Sequence, residues 1–416
     1  MITLNLAALL VTLAALFSFI NYRFIRLPTT IGLMLIALVL SILLVIAGKL
    51  GLAEFHLHAQ RILAQIDFNT TLMHGMLSFL LFAGALHVNL NELSEQKWII
   101  AILATIGMLI STFLVGTLSW YVLDWLNVSL PFIYCLLFGA LISPTDPIAV
   151  MGILKTAGAP KPLETKIAGE SLFNDGVAVV IFVVLLSIAT STGADNVPGI
   201  NMGDVLLLFL EEAVGGILYG FIIGFVTYLM LKSVNNYEVE ILLTLALVMG
   251  GYALASAIHV SGPLAMVVAG LMIGNHGRQF AMSDLTREHL DTFWKLIDEI
   301  LNAVLFVLLG LEVLVLTFSQ NFALAALLLI PVVVLSRFLS VGIPVTLMRF
   351  KREFSPHVIK ILTWGGLRGG ISIALALSIP QGPERELILT LTYVIVIFTI
   401  VVQGLTIGKL IRKCVH

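Results

Sequence analysis

Residues 169–189 read GESLFNDGVAVVIFVVLLSIA: four polar side chains, Glu170, Ser171, Asn174 and Asp175, lead into an apolar run with no charge. A carboxylate at the centre of a membrane helix costs about 2.5–3.5 kcal/mol on an insertion scale, so a chain that keeps two of them there has a use for them. The setting is a membrane. Hydrophobic residues make up 59% of the chain and Asp, Glu, Lys and Arg only 11%, against roughly 25% charged residues in soluble domains.

Outward from this stretch, apolar segments near the roughly 20 residues needed to cross a bilayer recur along the whole chain. They predict an all-α polytopic fold of about thirteen spans: 4–21, 28–47, 69–89, 98–122, 131–154, 167–191, 205–232, 238–259, 262–275, 293–317, 322–348, 358–380 and 386–409. The ninth is short. Residues 50–66 have helical spacing but too many polar side chains to span, and read as an interfacial helix or connection. The first span lacks the basic start and small-residue cleavage site of a signal peptide. With residue 1 outside, the inside connections and tail carry 17 Lys and Arg and the outside ones 3. That bias predicts an outside N-terminus and a cytoplasmic C-terminus, in a plasma membrane, with a bacterial cytoplasmic membrane expected. Cys135 and Cys414 fall on different levels of this topology and predict no disulfide. A net charge of −2 gives no reason to expect nucleic acid.

Two spans are interrupted. The fifth contains Ser143-Pro144-Thr145-Asp146-Pro147, whose prolines remove backbone donors. The twelfth contains Gly365-Gly366-Leu367-Arg368-Gly369-Gly370. If residues 4–191 and 238–409 are two repeats joined by a linker helix over 205–232, both interruptions fall in the fifth helix of their repeat, and the odd linker inverts one repeat against the other. Inverted repeats with discontinuous helices crossing at the midplane are a transporter plan, and such breaks hold the substrate. The whole chain then forms one transmembrane domain. Positions four apart share a helix face, so Glu170 lies under Asn174 and Ser171 under Asp175. The Ser171/Asp175 face offers hard oxygens for a small cation.

SPTDP, GESLFND and GGLRGG together resemble the monovalent cation:proton antiporter-1 family, the NhaP-type sodium/proton antiporters related to animal sodium/proton exchangers. The resemblance implies exchange of Na+, or Li+ or K+, for H+, in a homodimer of thirteen-helix subunits, serving pH homeostasis, without a cofactor and without enzymatic chemistry. It implies that Asp175 binds cation and proton, that Ser171 and the Thr145 backbone carbonyl coordinate, that Asp146 lies beside the site with Asn174 in support, and that Glu170 and Arg368 form a buried ion pair. Some members carry a glutamate in the third span, where this chain has Ala83.

Burial disfavours a charged carboxylate and a bound cation favours it, so proton and cation compete for Asp175. Competition enforces exchange, and with Asn174 in place of a second acid it predicts an electroneutral one-for-one cycle. Asp298, Glu299 and Arg337 are secondary candidates, read as an ion network between spans ten and eleven. His74 reads as structural, and Glu211 and Glu212 as lining a funnel or an interface. The Gly215-Gly216 and Gly220/Gly224 spacings read as helix packing. A cation channel and a potassium-preferring antiporter are the alternatives; a Ser/Lys dyad or His/Glu metal pair for an enzyme is not found. The cytoplasmic basic cluster at 349–352 is of a kind that meets anionic lipid, but the positive-inside bias explains it without further function.

Overall fold

The computed structural model describes residues 2–50, 70–146, 148–156, 158–191, 202–314, 320–350, 354 and 357–415. The 50–66 stretch falls almost wholly outside them. The fold is all-helical, and helices stand where the thirteen spans were expected: α1 (Ile2–Ile20), α2 (Thr29–Lys49), α3 (Thr71–Leu86), α4 (Leu90–Trp125), the pair α5 (Phe132–Ile142) and α6 (Ile148–Thr156), α7 (Lys161–Ser191), α8 (Met202–Ser233), α9 (Tyr237–Ala257), α10 (Gly262–Met272), α11 (Asp284–Leu311), α12 (Gln320–Met348), the pair α13 (Val358–Trp364) and α14 (Gly370–Ser378), and α15 (Pro383–Cys414). Eight of these described stretches are long and apolar enough to cross a membrane by length and composition alone. Their outward faces carry large exposed hydrophobics such as Leu218, Phe221 and Ile222, as lipid contact requires.

Where boundaries moved, polar residues are the cause. α4 begins at Leu90 instead of 98 because Asn89 caps it, its side chain accepting from the Asn91 N–H, and the charged first turns stand clear of the apolar part. α11 begins at Asp284 behind a Ser283 cap. The ninth span gains length from a wider π turn over Ile273–Gly277 and a last turn over Arg278–Phe280.

Two apolar cores organise the bundle. One draws on α1, α2, one face of α3, α4, α5, α6, α7, α11, α12, α13, α14 and α15, the other on the rest of α3, α8, α9, α10, the start of α11 and Leu172 of α7. The second core depends on close backbone approach between α8 and α10. A Cβ on Gly220 would sit 2.5 Å from the Ala265 carbonyl oxygen, and one on Gly216 would sit 2.7 Å from that of Ser261. The packing reading of this glycine series holds. α7 lies against α4, α5 and α10, so the GESLFND stretch stands where the two cores meet.

The fifth and twelfth spans, α5/α6 and α13/α14, are both broken and touch at their breaks. The Asp146 N–H donates to the Leu367 carbonyl at 2.7 Å. Glycine is required there by proximity: a Cβ on Gly366 would lie 2.9 Å from Arg337 Nε and 3.2 Å from Thr145 Cγ2. Gly366→Ala is expected to lower stability by about 1–3 kcal/mol, read as a lower thermal unfolding midpoint in detergent. Gly250→Ala, in a helix and facing open space, is expected to leave the midpoint unchanged or raise it slightly.

Candidate functional site

The prolines that break helix five leave carbonyls without donors. Pro147 has no N–H for the Ser143 carbonyl four residues earlier, and the C-terminal end of α5 carries partial negative charge. Arg368 answers both needs. Its Nη1 donates to the Ser143 carbonyl and, at 2.9 Å, to the Pro144 carbonyl, while its backbone N–H donates to Thr399 Oγ1 at 3.2 Å. The side chain is 1% exposed.

This corrects the expected Glu170–Arg368 pair. Glu170 instead accepts from Arg337 Nη1 at 2.5 Å, both side chains buried. Arg337 runs from α12 past the Cα of Gly366 to α7, and the Arg368 guanidinium is already held by backbone oxygens. The expected network of Asp298, Glu299 and Arg337 is corrected by the same contact. Glu299 faces Lys295 at 4.0 Å on an exposed surface, and Asp298 Oδ1 accepts from Asn302 Nδ2 at 3.0 Å.

Around Thr145 the polar groups converge. Its Oγ1 meets Ser171 Oγ at 2.9 Å and accepts from Asn174 Nδ2 at 3.0 Å, and its N–H points to Asn174 Oδ1 at 3.4 Å. Asn174 and Ser171 thereby tie α7 to the broken helix. Asp146 abuts Gly369, close enough that no side chain fits on that glycine.

A cavity of about 100 Å³ is lined by Thr145, Asp146, Asp175, Asp298, Gly369 and Ser372 among others, with leucines of both cores completing the wall. Asp175 is 7% exposed. Among the described residues no Lys, Arg or His pairs with it. Asp298 also lines a wider cavity of about 690 Å³ with Arg26, Thr29, Thr30, Glu299 and Asn302, so this carboxylate separates the buried cavity from a broader vestibule at the α1–α2 connection.

Ala83 does not line the cavity. It is fully buried in the second core, where the neighbouring Phe82 and Ala85 sit against Gly270 of α10. The His74 side chain is outside the described ones. Ser372 was not anticipated, and Arg337 was placed with the wrong partners. The signal for Arg337 was present, a lone cation in an apolar helix that must find a carboxylate.

The family model described as "Sodium/hydrogen exchanger, transmembrane" matches residues 8–413. The chain belongs to this family. It is 53% identical over 414 residues to the Na(+)/H(+) antiporter NhaP of Pseudomonas aeruginosa, covering 99% of this chain and 96% of that protein. It is 35% identical over 381 residues to the Na(+)/H(+) antiporter NhaH of Halobacillus dabanensis, covering 90% and 91% respectively. The structure of the sodium proton antiporter MjNhaP1 from Methanocaldococcus jannaschii at pH 8 superposes with a TM-score of 0.77 at 21% identity, over 100% of this chain and 99% of that one. The fold is thus that of a multi-pass NhaP-type membrane protein.

Removing one partner of a buried ion pair strands the other charge, at a cost of about 3–5 kcal/mol. Arg337→Ala is expected to depress folding yield and the thermal midpoint, and the Glu170→Gln/Arg337→Ala double variant to lose less than the two single losses combined. Additive losses in that cycle would remove the pairing.

Proposed function

We propose that the protein is a secondary active antiporter, not an enzyme, exchanging a monovalent cation, Na+ first among them, for H+. The observation that carries this reading is the counter-ion arrangement at the two breaks. Arg337 is held by Glu170 and Arg368 by backbone carbonyls, which leaves Asp175 buried, facing a cavity, and without a fixed cation. Such a carboxylate needs a mobile positive partner. A proton or an alkali cation meets that need, and each excludes the other.

In this reading Asp175 alternates between a protonated and a cation-bound form. Asp146, Ser171 and the Thr145 carbonyl supply the further oxygens, and Asn174 fixes Thr145. Neither half-cycle crosses with an empty charged site, so transport is an obligatory exchange. One carboxylate toggling between two monovalent cations gives one-for-one, electroneutral stoichiometry. The names of the full-length relatives, Na(+)/H(+) antiporters of bacteria, support sodium as the principal cation. The α1–α2 vestibule serves as the cytoplasmic approach, with the N-terminus outside, the C-terminus inside, and the chain in a bacterial cytoplasmic membrane among lipids it shares with a second copy as a homodimer. Residues 4–191 and 238–409 act as inverted repeats, and alternating access follows from movement where the two cores meet. The physiological output is pH and sodium homeostasis, with no resident cofactor.

Reconstitution in liposomes with an imposed pH gradient tests this. Na+ addition is expected to collapse the gradient at a rate indifferent to membrane potential. Asp175→Asn, which keeps shape and volume, is expected to fold normally and reduce the rate to that of empty liposomes. Residual exchange in that variant would refute the assignment of Asp175, and a potential-dependent rate the stoichiometry.

A further inference from the structure

We infer that the Ser372 hydroxyl is an additional oxygen ligand for the transported cation, contributed by α14 from across the Asp175 cavity. This rests on the antiport reading above and extends it to a helix not yet given a ligand. Ser372 is 1% exposed, lines the cavity that Thr145, Asp146 and Asp175 share, and among the described residues its Oγ has no hydrogen-bond partner.

The reason for the orphan is local and physical. A serine or threonine inside a helix ordinarily satisfies its hydroxyl by donating to the carbonyl four residues back. Several in this protein do so, Ser41 to Ala37, Ser143 to Gly139, Thr363 to Ile359, Thr390 to Glu386 and Thr392 to Ile388, all at 2.7–2.9 Å; Thr112, Ser119 and Ser336 are also unpartnered among the described residues, but none of them lines the Asp175 cavity. Four residues before Ser372 stands Arg368, which belongs to the break rather than to a helix. Its carbonyl is not offered to the first turn of α14. The glycine break that allows the two helices to cross therefore also strands a hydroxyl on the cavity wall.

A buried hydroxyl left without a partner costs free energy that an apolar residue would not. Ser372 is flanked by Ile371 and Ile373 in a helix whose one other polar side chain is the terminal Ser378, so packing alone gives no reason for an oxygen there. Coordination gives one. A hydroxyl can present its lone pairs to a hard cation and direct its proton to a carboxylate, and both partners are at hand in the cavity when a cation is bound beside Asp175 and Asp146. With Ala83 turned into the core, an oxygen from α14 completes a ligand set that the α5–α6 break and α7 supply only from one side.

The test compares the full-length wild type with Ser372→Ala and Ser372→Thr in proteoliposomes, with the thermal midpoint of each in detergent with and without NaCl. Ser372→Ala is expected to raise the KM for Na+ about tenfold or more, the consequence of losing one oxygen from a charged site, with kcat within about twofold. It is expected to keep or raise the midpoint without Na+ and to lose most of the rise that Na+ gives the wild type. Ser372→Thr, which keeps the hydroxyl, is expected to restore the KM. An unchanged KM and an unchanged Na+-induced rise in Ser372→Ala overturn the ligand, as does a fall in the Na+-free midpoint with the Na+-induced rise intact, which marks a structural hydroxyl. These outcomes leave the antiport reading standing, whereas a wild type with no Na+-driven exchange removes that reading itself.

Discussion

The hold of Arg368 on the carbonyls of Ser143 and Pro144 is the contact on which the rest of the site depends. Two interrupted helices cannot lie in a membrane with bare carbonyl ends, because no water is present to satisfy them. Pro147 guarantees a bare carbonyl at Ser143, and a guanidinium from the opposing break fills the need. The Asp146 N–H to Leu367 carbonyl bond closes the crossing from the other direction. Arg368 Nη1 is thereby committed to backbone, while its Nε has no hydrogen-bond partner among the described residues. Glu170 takes Arg337, and Asp175 is left with none. Neither buried arginine forms an ion pair with Asp175.

The position of this carboxylate explains how one charge can serve two sides of a membrane. Asp175 faces a cavity walled by leucines from both cores, Leu77, Leu81 and Leu172 from one and Leu72, Leu80 and Leu305 from the other. Four of these six, Leu72, Leu77, Leu80 and Leu81, lie on α3, so this one helix joins the two cores at the cavity. The polar ties around Thr145, by contrast, lie within the part formed by α5, α6 and α7. In the proposed cycle these ties hold the ion site together. Asp298, shared by the buried cavity and the wider vestibule, marks where the path narrows.

Much of this was legible in the residues. Hydropathy placed the thirteen helical stretches, since burial in lipid leaves an unambiguous apolar record, and Pro144, Pro147 and the Gly365–Gly370 series marked both breaks. GESLFND named the polar residues of α7, although Ser171 and Asn174, read as lying on separate faces, both meet Thr145. What was not legible was which arginine meets which oxygen. Glu170, Arg337 and Arg368 are all lone charges in apolar surroundings, and helix periodicity carries no information on contacts between helices. The missing donor at Pro147 was the available clue to Arg368. Ser372 escaped notice because a serine in a helix normally satisfies itself, and nothing in the sequence shows that this one lines the cavity of Thr145, Asp146 and Asp175. Helix ends at Leu90 and Asp284 were missed because charged first turns outside the apolar part look like loop to a hydropathy reading.

The central claim is that one buried carboxylate is occupied alternately by a proton and an alkali cation. Its most direct test is proton release on cation binding: purified protein in weakly buffered detergent solution, mixed with NaCl, with the pH followed by an indicator dye. The account predicts about one proton released per Na+ bound, lost when Asp175 is replaced by Asn. Na+ binding without release of a proton, or release that survives this replacement, would contradict it.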